Sequence, residues 1–336
     1  MRSAFGSTFD VPAGYLNTAG IGVPPAPAAA AVAEAVRRWS TGREEPTGAD
    51  EAVRTARAAF GRLVGVPAER VAIGASVSQL VSLVAAALPA GARVLVARGD
   101  FTSLTFPFAA RGLRVTEVEL DALVPAAAGH DLVAVSVVQS ADGRVADLDG
   151  LRATGVPVLL DATQAVGWLP LSLGWAEWVV AAGYKWLMSP RGCAWLAGSA
   201  AGVRRAVPVA ANWWAGDDPW SAVYGLPLRL APDARRLDVS PVWLSHYGAA
   251  VALPYAASLD LAAVREHDAG LADSLLAGLG LPPRGSAIVA LDLPPGSAER
   301  LAAAGVRSSV RAGRVRLAFH LYNTAEDVEL VLEALA

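Results

Sequence analysis

The stretch VVAAGYKWLMSPRG, Val179 to Gly192, decides how this chain is read. An apolar run, Trp178 to Ala182, leads into one lysine, Lys185. A Pro-Arg-Gly turn and a second apolar run, CAWLAG, follow it. An unpaired ammonium is costly to desolvate, so a lysine in such surroundings calls for a reason. Upstream, VPVLLDATQAVGW (Val156–Trp168) ends another apolar run on Asp161, with Gln164 at i+3. Taken alone, Asp161 reads as a helix N-cap, a common use of aspartate. If both runs are neighbouring strands of a parallel-type sheet, Asp161 and Lys185 project from the same carboxyl edge, where open α/β sheets bind ligands.

The surrounding sequence supports such a sheet. Helical patterns at Asp50–Val64, Ser76–Ala87, Ser103–Arg111 and Asp147–Ala153 alternate with β-rich runs. Those runs are Arg93–Ala97, Arg114–Glu119, Leu132–Val137 and Val156–Leu160. Strands separated by helices imply parallel βαβ units, hence an α/β fold. Glu177–Ala181 and Cys193–Ala197 are expected as a hairpin inserted into the sheet. Beyond Val203 lies VAANWWAGDDPWSAVYG (Val209–Gly225), too long and aromatic for a simple connector. A long helical region is expected over Leu244–Leu279. A small α+β module follows: strand Ala287–Leu291, helix Ser297–Ala304, strands Val306–Val310 and Arg314–Phe319, and a helix from Thr324. This predicts a large domain over 14–245 and a small one over 246–336, with residues 1–40 packed against the small one.

Composition narrows the function. Of 336 residues, 54% are hydrophobic and 18% charged, enough apolar material for a sizeable core. A net charge of −3 gives no field for nucleic acid or an anionic membrane. The longest apolar region, Leu80–Ala97, is interrupted by Pro89, Gly91 and Arg93 and reads as helix, turn, strand rather than a membrane span. The N-terminal MRSAFGSTFDVPAGYLN has no apolar core of a secretory signal, so a cytoplasmic protein is expected. A single cysteine, Cys193, excludes an internal disulfide and a cysteine-based zinc cluster. The four histidines are too scattered to suggest a metal site.

A buried lysine and an acid at one sheet edge suit pyridoxal phosphate (PLP). Desolvation lowers a lysine's pKa and so favours the neutral amine that forms a Schiff base. A carboxylate against the pyridine nitrogen keeps that ring an electron sink. Gly74, Ser76 and Ser78 in AIGASVSQLVSL sit at a strand-to-helix turn, where free N–H groups and the helix dipole favour a phosphate.

With these residues in this order, the chain resembles the class V aminotransferase family of fold-type I PLP enzymes, which includes cysteine desulfurases, kynureninase and isopenicillin N epimerase-like proteins. YLNTAGIGVPP (Tyr15–Pro25) is similar to the family's N-terminal strand, and GAS (Gly74–Ser76) to its phosphate-helix turn. DATQAVG (Asp161–Gly167), GYKWLMSPRG (Gly183–Gly192) and VRLAFHLYNTAEDVELVLEAL (Val315–Leu335) resemble its cofactor-acid, lysine and C-terminal motifs.

The resemblance implies a PLP-dependent transferase fold and a role for each matching residue. Lys185 would be the Schiff-base lysine and general base, with Asp161 on the pyridine nitrogen and Gln164 on the ring's phenolic oxygen. Ala75, Ser76 and Tyr184 would serve the phosphate side, and Phe101 would stack on the ring. Arg316 would clamp the substrate carboxylate with Asn17 nearby. Ser240, in ARRLDVSPVW, would reach a partner subunit's phosphate in a homodimer. Desulfurases carry a mobile persulfide cysteine shortly before the arginine strand; GVRSSVRAGRVR has none there, so persulfide chemistry is not expected. The expected reaction is transamination, β-elimination, epimerisation or Cβ cleavage of a small amino acid. A PLP-fold binding or regulatory protein without turnover is the alternative. A dinucleotide-binding oxidoreductase would need a G-x-G-x-x-G turn, which GASVSQ does not supply.

Overall fold

Strands buried on both faces need apolar side chains at every position, and the Val-, Leu- and Ala-rich runs of this chain supply them. The computed structural model describes residues 1–336. Its first half comprises β1 (Arg2–Ala4), β2 (Ser7–Phe9), α1 (Ala26–Ser40), α2 (Asp50–Val64), β3 (Val71–Gly74), α3 (Val77–Ala87), β4 (Arg93–Ala97), α4 (Thr102–Ala110), β5 (Arg114–Val118), α5 (Leu123–Ala126), β6 (Leu132–Ser136) and α6 (Leu148–Ala153). There follow β7 (Val158–Asp161), β8 (Trp178–Ala182), β9 (Ala194–Gly198), α7 (Ala200–Arg205), α8 (Trp243–Ser258), α9 (Leu261–Gly278), β10 (Ile288–Leu291), α10 (Ser297–Ala303), β11 (Ser309–Arg311), β12 (Arg314–Ala318) and α11 (Ala325–Leu335).

The large sheet has seven strands in the order β3-β9-β8-β7-β6-β4-β5. β4 to β8 are mutually parallel, and β9 runs antiparallel between β8 and β3. Alternate residues of one strand feed different cores: Val133 and Val135 of β6 face one cluster, Leu132 and Ala134 the other. This is why the strand reads as unbroken apolar sequence. The small antiparallel sheet, β10-β12-β11, packs with α9, α10 and α11 around a third cluster that includes Leu16.

Three local expectations need correction. Leu244–Leu279 is two helices, α8 and α9, which meet at 93°. Asp260 caps α9 by accepting from the Ala262 and Ala263 N–H groups, a cap that starts a new helix rather than continuing the old one. Tyr15–Pro25 is not a strand; Tyr15, Asn17 and Pro25 make isolated bridges, to Arg307, Ala318 and Phe9. The strand expected over Val306–Val310 is β11 at Ser309–Arg311, because Leu16 takes the Arg307 carbonyl before the ladder begins.

α8 runs across residue 245, the expected division point, and packs on α1 and α2. The N-terminal arm reaches the C-terminal helix. Asp327 of α11 accepts from the Arg2 guanidinium at 2.5 and 2.9 Å, the Gly14 N–H at 2.8 Å and Asn323 Nδ2 at 2.9 Å. No single helix is long and apolar enough to cross a membrane.

Candidate active site

β7 and β8 are adjacent and parallel, pairing Asp161 with Val180. Asp161, the last residue of β7, turns the chain: its Oδ1 accepts the Thr163 N–H at 2.8 Å. No helix follows, so the N-cap reading does not describe it. Lys185 lies three residues beyond β8, only 5% exposed. Its Nζ is 5.2 Å from the Phe101 ring centroid and 5.7 Å from that of Tyr184.

Burial sets the charges here. Desolvation lowers the Lys185 pKa to about 8, opposed by Asp161 and assisted by Arg316, Arg311 and Arg191. Desolvation raises Asp161 to about 6, opposed by its bonds to Thr163 and assisted by the Asp100 charge. Asp100 in turn fixes the site's wall. Its carboxylate accepts from the Phe101 N–H, the Ser136 N–H and hydroxyl, and Gln139 Nε2.

One cavity brings together Ala75, Ser76, Phe101, Asp161, Gln164, Tyr184 and Lys185 from the sequence-derived set. On its anion-friendly side, Ser76 caps α3 in an extended conformation and accepts the Gln79 N–H. Gln79 returns the bond by accepting the Ala75 N–H at 2.8 Å. The next first-turn N–H groups, at Val77 and Ser78, have no carbonyl partner within the helix and line the cavity. On the other side, Gln164 Nε2 donates to the Ala19 carbonyl at 3.1 Å and Ser140 Oγ at 3.0 Å, while its Oε1 accepts the Trp186 indole N–H at 2.8 Å.

Arg316, Asn17 and Ser240 do not line this cavity. Arg316 lies just behind it, 2% exposed, with Nη1 donating to the Ser140 carbonyl at 2.6 Å and its Oγ at 3.0 Å. Burial lowers Arg316 to about 10, and Arg311 adds to the effect. Asn17 pairs through its backbone with Ala318 at the end of β12, and its side-chain Oδ1 is buried without a partner. Ser240 is exposed, ahead of α8.

Sequence reasoning missed Ser140, Thr163, Asp100 and Arg191, of which all but Asp100 line the cavity. The Gln139-Ser140 pair at the carboxyl end of β6 was a usable signal, since that edge is where α/β sheets place ligand contacts. Arg191 stacks its guanidinium 5.0 Å from the Tyr184 centroid.

No protein-family model matches the chain. It is 26% identical over 317 residues to the uncharacterized aminotransferase YcbU of Bacillus subtilis (strain 168), spanning 85% of this chain and 84% of that protein. The apo cysteine desulfurase from Thermococcus onnurineus NA1 superposes with a TM-score of 0.82 at 20% identity, over 96% of this chain and 93% of its own. The cystine C–S lyase C-DES, solved with its product cysteine persulfide, superposes with a TM-score of 0.85 at 18% identity, over 96% and 97%. A variant of that lyase carries glycine covalently linked to its PLP cofactor. With its mostly parallel seven-stranded sheet and small antiparallel C-terminal sheet, the chain has the fold of the class V aminotransferases within fold type I of the PLP enzymes.

Proposed function

We propose that this chain is a PLP-dependent enzyme of the class V aminotransferase type that acts at Cα or Cβ of a small amino acid. The observation that carries this reading is the pairing of a desolvated lysine with a desolvated acid at the carboxyl ends of adjacent parallel strands. The donor set suits the cofactor: an open helix N-terminus for a phosphate, a buried acid that makes no salt bridge, and a lysine depressed towards neutrality. When bound, PLP supplies an electron-withdrawing ring that stabilises negative charge at the substrate carbon.

The chain's own residues do the rest. Lys185, lowered to about 8, is neutral in roughly a tenth to a fifth of molecules near physiological pH, far more than an ordinary lysine, so Nζ serves first as a nucleophile and then as the group that takes and returns a proton. Asp161 is ionised when a cation is placed against it, and its carboxylate then holds positive charge on the ring nitrogen. Ser140, held by Gln164, would present its hydroxyl hydrogen to an anionic ring oxygen, since both Gln164 amide hydrogens are already donated to Ala19 and Ser140. Phe101 gives an aromatic face beside Lys185. Arg316, steadied by Ser140 and Ser309 just behind the cavity wall, is the guanidinium that would meet the substrate carboxylate through its remaining Nη2. The first-turn N–H groups of α3 and the Ser76 hydroxyl bind phosphate.

No cysteine lines the cavity. Cys193 is buried, its Sγ 3.5 Å from His246 Nδ1, and burial pushes its thiol pKa up. A sulfur leaving group would therefore depart directly as sulfide or thiol, by β-elimination. The active unit is a homodimer. The segment after Trp220 exposes Tyr224 and Leu226 at 89% each and Leu228 at 65%, an apolar surface suited to a second copy.

Borohydride reduction of the yellow protein, followed by peptide mapping, tests the reading. The label is expected on Lys185; a colourless protein that cannot be reconstituted with PLP overturns it. Screening amino acids with separate read-outs for keto acid, ammonia, sulfide and racemisation then separates the reaction types.

A further inference from the structure

Directly after Lys185, the chain is bent in a way it would not adopt by itself. Met188 has φ of 53°, in the left-handed region that a residue with a side chain rarely enters. Such strain persists only where surrounding contacts over-determine the backbone. Gly22 N–H donates to the Tyr184 carbonyl at 2.9 Å, and Ser189 N–H to the Gly183 carbonyl at 3.0 Å. A further hold comes from the C-terminal module: His320 Nε2 is 3.1 Å from the Trp186 carbonyl.

The protonation of His320 follows from its partners. A carbonyl cannot donate, so Nε2 must carry a hydrogen. Nδ1 faces Asp268 Oδ2 at 3.0 Å, and both residues are fully buried. Either an imidazolium donates to a carboxylate, or a carboxylic acid donates to a neutral ring. In both cases one proton lies between them and the pair is neutral overall. Losing it would leave a bare buried charge, and Asp268 Oδ1 already has no partner. The other neighbours, Tyr322 and Trp186 edge-on at 5.6 and 5.1 Å and His267 near Asp268, offer no second acid to take that proton.

We propose that His320, locked by the proton it shares with Asp268, is a positioning residue that grips the Trp186 carbonyl and so lets the C-terminal module fix where Lys185 stands. The grip continues inward, because the Trp186 indole donates to Gln164 Oε1 at 2.8 Å. Its catalytic meaning rests on Lys185 being the cofactor lysine; the positioning itself does not.

The test therefore reads Lys185 in the apoprotein, by the pH–rate profile of its acylation by a small amine-reactive ester, with peptide mapping. The wild-type midpoint should lie near 8. His320→Phe and Asp268→Leu should move it up by about one unit, towards an ordinary lysine, as the segment loosens and water enters. Asp268→Asn, whose amide still donates to Nδ1 and preserves the Nε2–H tautomer, should stay near wild type. An unchanged midpoint in His320→Phe, with only a loss of thermal stability, would make His320 an ordinary core residue and overturn the proposal. If the two disruptive variants do not fold, 15N NMR of the wild-type histidine rings decides. Nε2 of His320 should carry a hydrogen in the folded apoprotein, as its contact with the Trp186 carbonyl requires, and an unprotonated Nε2 sinks the idea. Failure of PLP to bind with these results intact would remove the cofactor reading and leave the positioning standing.

Discussion

The Arg316 guanidinium and the Gln164 amide meet on a single hydroxyl: Ser140 Oγ accepts from Nη1 of the one and Nε2 of the other, each at 3.0 Å. A hydroxyl has two lone pairs and one hydrogen. With both lone pairs taken, its own hydrogen is left for a group in the cavity, which Ser140 lines. The arginine proposed for the substrate carboxylate and the glutamine of the β7 turn thus share one support.

Removing that support should hurt substrate binding more than folding. Ser140→Ala is expected to raise KM for the amino-acid substrate by roughly tenfold, equivalent to about 1.4 kcal/mol, with a smaller fall in kcat. Thermal denaturation should show little change. Steady-state kinetics with both constants unaltered would mean that Arg316 orients itself without Ser140.

Gly22 is the tightest contact on the lysine segment. A Cβ at this position would stand 1.9 Å from the Lys185 carbonyl oxygen, a backbone atom unable to swing aside. Gly22→Ala should destabilise the protein by about 1–3 kcal/mol and weaken PLP binding, because either the N-terminal segment or the lysine segment must move. Denaturant melts and absorbance titration with PLP check both effects; normal PLP affinity would show that the N-terminal segment yields instead.

The pH dependence of the apoprotein should report Asp161. Its carboxyl ionises at 3.8 when unfolded and near 6 when folded, so between those values the folded state binds more protons. Stability from this group is full below 3.8 and is lost as pH rises through 6, by about 3 kcal/mol in order of magnitude. Asp161→Asn should flatten that window and make the apoprotein more stable at neutral pH while impairing the holoenzyme. Parallel pH profiles for wild type and variant would remove Asp161 from the account.

Much of this was legible in the sequence because burial on both faces leaves an unbroken apolar signal, against which one lysine and one aspartate stand out. The α3 turn was legible for a local reason, a serine cap before an apolar helix. Ser140, Gly22 and the His320–Asp268 pair were not, since their roles exist only through contacts between residues far apart in sequence. Asp260 was a readable cap whose signal was masked by apolar sequence on both sides. Arg316 was found by motif, yet its place behind the cavity wall could not be read from a strand pattern.

Cys193 should prove dispensable for chemistry. Cys193→Ser is expected to leave turnover essentially intact, at a stability cost of about 1–2 kcal/mol for burying a hydroxyl beside His246. A selective loss of sulfur transfer, with folding and PLP binding normal, would return the protein to persulfide chemistry.

The apolar loop should mark the contact between copies. Leu226→Asp with Leu228→Asp is expected to shift the sedimenting species from dimer to monomer and to lower activity, if Ser240 acts in a neighbouring subunit as proposed. A wild-type monomer turning over at full rate would contradict the dimer.

The Asp327 carboxylate, which gathers Arg2 and Gly14 onto the C-terminal helix, has a consequence for biosynthesis. Its partner in Arg2 is made 325 residues earlier. At about 5–20 residues per second, the nascent N-terminal arm waits tens of seconds for the acid that anchors it. The α/β sheet can assemble on the ribosome meanwhile, but the arm and the Leu16 segment dock only once the C-terminal module has been made. Until then they are the part of the nascent chain open to chaperones and proteases.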